Sequence, residues 1–97
     1  MSISFFLYIM SMDKRYDSIK FMIESGHITE FREIFDYLPK SLLTKHLHTN
    51  NPRMTRLKLK VNDLTVHEIV SISSLLNVDY TKITHIVFTQ YLNDNKK

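Results

Sequence analysis

The chain has no cysteine, one glycine and two prolines among 97 residues. Without cysteine there is neither a disulfide nor a thiolate metal site, which suits a reducing, cytoplasmic setting. A single glycine leaves little for β-hairpins, whose tight turns need residues at positive φ. No apolar run approaches the roughly 20 residues that span a bilayer, so no membrane association is expected. The nearest candidate, Phe5-Phe6-Leu7-Tyr8-Ile9-Met10, lacks the basic leader and small-residue cleavage site of a signal peptide. There is no glycine-rich phosphate loop. No Ser-His-Asp order can be assigned, so an enzyme is not expected. His27, His46, His48, His67 and His85 are scattered, and no acid or cysteine completes a ligand set. Neither a metal, a cofactor nor a small-molecule ligand is therefore expected.

The length suits one domain with a small core. Residues 1–11 read as an apolar leader. The start-like Met10-Ser11-Met12-Asp13-Lys14 suggests a start annotated too early; a packing extension is the alternative. Residues 12–92 read as a single helical domain, and 93–97 as a flexible tail.

Apolar residues recur at helical spacing through that domain, which predicts an all-α fold of five or six helices. Asp13 to Ser25 carries Tyr16, Ile19 and Ile23 on one stripe, with Gly26 placed as its left-handed terminator. Thr29 is the expected cap of a second helix with Phe31, Ile34, Phe35 and Leu38 inward. Pro39 breaks it. A third helix spans about 40–48, with Leu43 and Leu47 inward. A fourth spans about 51–58, with Met54, Leu57 and Val61 inward. Thr65 and Glu68 form a capping-box pattern opening a fifth helix that carries Val66, Ile69, Ile72, Leu75 and Leu76. Asn77 ends it. Asp79 caps a sixth, whose stripe is Ile83, Ile86, Val87 and Tyr91.

Net charge is only +3, so its distribution matters more than its total. Between Lys40 and Lys60 stand Lys40, Lys45, Arg53, Arg56, Lys58 and Lys60, with no Asp or Glu. Most basic runs are solvated faces. This one covers two short helices joined by Thr49-Asn50-Asn51, which is a DNA-reading pattern.

The stretch Leu43-Thr44-Lys45-His46-Leu47-His48-Thr49-Asn50-Asn51-Pro52-Arg53-Met54-Thr55-Arg56-Leu57 resembles the helix-turn-helix of the lambda-repressor-like family (Cro/repressor or xenobiotic-response-element type). Thr44 matches the small residue at the helix crossing. Leu43, Leu47, Met54 and Leu57 match the apolar positions. Leu64 to Asp79 is similar to the family's next helix and corner, and Tyr80-Thr81-Lys82-Ile83 to the start of its last helix. The resemblance covers about Ile28 to Val87. His48 stands where the family has its turn glycine, Lys58 where an acid is frequent, and Lys40 where a glutamine is frequent.

The resemblance implies a compact bundle and a sequence-specific transcriptional regulator of double-stranded DNA, with homodimers on two-fold sites. Asn50, Asn51, Arg53 and Arg56 are the candidates for base edges: amides suit adenine, and a guanidinium suits guanine O6 and N7. Lys40, Lys45, Thr49, Lys58 and Lys60 are the candidates for phosphate. Asn50 and Asn51 each have a plainer role as helix cap. Pro52 at the first helical position makes Asn51 the expected one. Phe31, Phe35, Phe88 and Tyr91 read as core or dimer residues, and Tyr80, Tyr91 and Leu92 as a dimer contact. The competing classes are a protein-interaction module of phage or mobile-element origin that kept the fold without DNA reading, and an antitoxin.

Overall fold

A computed structural model of the chain describes residues 14–96. The leader at 1–11 lies outside the described residues. Among these, the chain is helical with no strand: α1 (Arg15–Glu24), a 3-10 helix (Phe31–Asp36), α2 (Lys40–His46), α3 (Asn51–Leu59), a second 3-10 helix (Val61–Asp63), α4 (Val66–Leu76) and α5 (Tyr80–Asp94). The all-α expectation holds.

Local chemistry sets the boundaries. Gly26, at φ 82°, ends α1, and its N–H reaches the Ile23 carbonyl. Thr65 caps α4 by accepting from the Glu68 N–H, while the Glu68 carboxylate accepts from the Thr65 N–H. Asn77 closes α4 in the left-handed region, with Val78 N–H on the Ser73 carbonyl. Asp79 caps α5 through the Thr81 N–H.

The second expected helix is instead a 3-10 helix of six residues. Glu30, not Thr29, stands at its N-cap position. The Glu33 carboxylate folds back to accept from Thr29 N–H, Thr29 Oγ1 and Glu30 N–H, which tightens the entry. Side chains three apart eclipse in a 3-10 helix. Phe31 and Ile34 therefore enter the core together, and Phe35 stays half-buried with its ring edge-on to Phe31.

The core gathers one stripe from each element, including Ile19, Leu43, Met54, Leu57, Ile72 and Ile83. α4 and α5 pack on each other, α1 lies against α4, and α3 rests on both 3-10 helices. Val66, expected inward, is 76% exposed. It occupies the first turn of α4, whose partners are polar groups of α3 rather than the apolar core. α5 runs on to Asp94, beyond the expected end at 92, because Asn93 bonds Glu30 at 2.6 Å and Asp94 pairs with Arg32.

The inward position expected for Tyr91 belongs to Gln90, which is 0% exposed. Its Oε1 accepts from Arg32 N–H at 2.7 Å, and its Nε2 donates to the Lys58 carbonyl at 2.9 Å. One buried amide thus satisfies a free N–H at the start of the first 3-10 helix and a free carbonyl in the last turn of α3. Gln90→Leu leaves both unpaired. A destabilisation of about 2–6 kcal/mol is expected, at about 1–3 kcal/mol for each orphaned group. Chemical denaturation at matched m-values measures it, and a loss below half a kcal/mol, roughly a surface effect, would refute the bracket.

Candidate nucleic-acid interface

The α2–α3 pair is built by its turn. Leu47 terminates α2, His48 follows at φ 55°, and Thr49 N–H reaches the Thr44 carbonyl at 3.1 Å. This is the six-to-one closure of a Schellman turn, whose left-handed residue is usually glycine. His48 takes that conformation despite its Cβ. It is the position where the resemblance places a turn glycine.

Two side-chain bonds then tie the helices one turn apart. Thr44 Oγ1 donates to Asn51 Oδ1 at 3.1 Å, and Lys40 Nζ donates to Thr55 Oγ1 at 2.6 Å. Asn51 and Thr55 are four apart on α3, so one face of that helix is turned to α2. Met54 and Leu57 form a second face, buried in the core. Arg56 and Lys60 fall on the side that remains, and both are exposed.

Asn50, not Asn51, caps α3, its side chain accepting from the Arg53 N–H at 2.9 Å. The helix begins one residue earlier than Pro52 suggested. Proline is equally at home one position further in, because the first four N–H groups of a helix have no intrahelical partner.

Arg53 is engaged by protein. Its Nε donates to Glu68 Oε2 and its terminal nitrogen to Glu68 Oε1, both at 2.7 Å. The same nitrogen reaches the Asp63 carbonyl at 3.1 Å. Arg53, bonded to both carboxylate oxygens, holds the Glu68 carboxyl below the usual carboxylate range against the opposing effect of burial, and Thr65 adds to that hold. The pair lies beside an open groove between the turn and α4, lined also by Leu47, His48, His67 and Val70.

The expected phosphate group divides the same way. Lys40 is bonded to Thr55, and Lys58 Nζ sits 5.8 Å from the centre of the Phe35 ring, in cation–π range. Thr49 contributes its N–H to the turn. Among the described residues, no side-chain hydrogen bond or ion pair holds Lys45, Arg56 or Lys60, and all three are exposed. The nine residues therefore cluster on one two-helix unit, but the ones standing clear of intramolecular bonds are fewer than the sequence suggested.

Two residues that organise this unit went unread in the sequence. Glu68 reads in the sequence only as part of a cap. Gln90 falls on the apolar stripe of α5, three after Val87 and four after Ile86, and a polar residue at that register was the available signal.

No protein-family model matches the chain, and comparison with curated proteins and with solved structures finds no match.

His48 provides a direct test of the turn. Asn tolerates the left-handed region and a β-branched residue does not. His48→Asn should change stability by less than about 0.5 kcal/mol and His48→Val should lower it by about 1–2 kcal/mol. Equal thermal stability of the two variants would show that the turn does not need a positive φ.

Proposed function

We propose that the chain is a small, sequence-specific DNA-binding regulator of lambda-repressor-like type, with α3 entering the major groove and α2 lying across the backbone. What carries the reading is the turn. A left-handed residue joins two short helices where the resemblance requires one, and the stretch from Lys40 to Lys60 that holds them bears six cations and no acid. A run of this sign attracts phosphate by counterion release.

Lys45 and Lys60 are the phosphate contacts best presented, and Lys40, Lys58 and Thr49 lie on the same unit. Arg56 has an unengaged guanidinium for guanine O6 and N7, and Asn51 brings an amide edge to the start of α3. Asn50 contributes chiefly as the cap. Such a protein acts in the cytoplasm, and occupying an operator is enough to exclude polymerase.

Two-fold operators call for a dimer. The outer face of α5 supports one: Tyr80, Phe88 and Leu92 recur at multiples of four and are 61%, 58% and 64% exposed. The same stripe favours the second reading, a protein-interaction module that kept the fold without DNA reading.

Selection from a random-duplex library at two salt concentrations separates them. Enrichment of a two-fold sequence is expected, with affinity falling as salt rises. Arg56→Ala should relax preference at one position by about 1–3 kcal/mol. Lys45→Ala should weaken every duplex alike and lower the logarithmic salt slope by about one. No binding at low salt would reject the regulator and favour the interaction module.

A further inference from the structure

The sequence made Arg53 a base-reading residue; the geometry points elsewhere. We infer that Arg53 is a positioning residue, held by Glu68 and the Asp63 carbonyl so that the start of α3 is fixed against the start of α4, and that it takes no part in base contact. Its effect on binding rests on the DNA-binding reading, whereas the pairing does not.

The donor inventory decides the matter. Bidentate reading of guanine needs two parallel donors on one edge of the guanidinium. In Arg53 the Nε edge is closed on the two oxygens of Glu68. The second hydrogen of that terminal nitrogen serves the Asp63 carbonyl. Only the other terminal nitrogen remains, and it cannot form a two-pronged contact alone.

Glu68 is no more available than Arg53. Its Oε1 also accepts from Thr65 N–H at 3.0 Å and Thr65 Oγ1 at 3.1 Å. Turning Arg53 toward a base would strip the carboxylate of its cation and leave a negative charge beside the phosphates. The pairing therefore does two things. It joins the first turn of α3, the second 3-10 helix and the first turn of α4 into one corner. It also neutralises an acid that touches the recognition helix.

Glu68→Gln isolates the charge pair from the cap, because glutamine serves at the third position of a capping box. The set to measure is wild type, Arg53→Ala, Arg53→Lys, Glu68→Gln and the double variant Arg53→Ala/Glu68→Gln. Each is assayed for melting temperature, duplex selection and salt slope. Both Arg53→Ala and Glu68→Gln should melt earlier, and the double variant should melt no earlier than the weaker single one. Both should bind about tenfold more weakly, select the same sequence as wild type and keep its salt slope, since no base or phosphate contact is lost. Arg53→Lys should not rescue, because an ammonium lacks the fork. The Arg53 Nε–H resonance should persist unshifted when DNA is added and be lost in Glu68→Gln.

A changed base preference in Arg53→Ala, a salt slope lower by about one, or a Glu68→Gln variant indistinguishable from wild type would overturn the inference. If wild type binds no duplex, the DNA reading fails separately. The melting cycle then decides the pairing: additive losses refute it, and non-additive losses uphold it.

Discussion

The disposition of α3 depends on a carboxylate that the helix does not own. Glu68, the third residue of α4, accepts from both the Thr65 cap and the Arg53 guanidinium, so a single side chain starts one helix and anchors another. At the far end of α3, the buried amide of Gln90 takes the Lys58 carbonyl. A nine-residue helix has little stability of its own. Its order comes from these two grips and from Met54 and Leu57 in the core. α2 follows α3, since Thr44 and Lys40 bond to it one turn apart.

This arrangement changes the meaning of the basic run. Half of its six cations face inward partners: Lys40 on Thr55, Arg53 on Glu68, Lys58 over Phe35. The other half, Lys45, Arg56 and Lys60, is presented to solvent. A count of charges along the chain overstates the field available to an anionic partner. The lack of acids between Lys40 and Lys60 still matters, because nearby carboxylates would screen even three exposed cations.

Much of the fold was legible because its signals are local. The Thr65–Glu68 box, the Asp79 cap, the Gly26 terminator and the left-handed Asn77 each involve residues within five positions of one another. The 3.6-residue stripes located the core. Pairings across the chain left no such trace. Arg53 and Glu68 are fifteen residues apart, Gln90 and Lys58 thirty-two, Gln90 and Arg32 fifty-eight. Periodicity records which side of a helix is apolar, not which polar group waits opposite it. The choice between Asn50 and Asn51 was a different difficulty: both can cap, and Pro52 is acceptable at either of the first two helical positions. The candidate site was thus legible as a region, through spacing and charge, while the division of labour within it was not.

A DNA-binding role requires that the two-helix unit be the surface that meets the partner. A titration of isotopically labelled protein with a short duplex at low salt, followed by backbone amide shifts, addresses it residue by residue. The expected shifts fall on the turn at His48 and Thr49, along α3 and at Lys60 just beyond it, fading as salt is added. Unchanged spectra, or shifts confined to the Tyr80, Phe88 and Leu92 stripe of α5, would contradict a DNA-binding role for the two-helix unit.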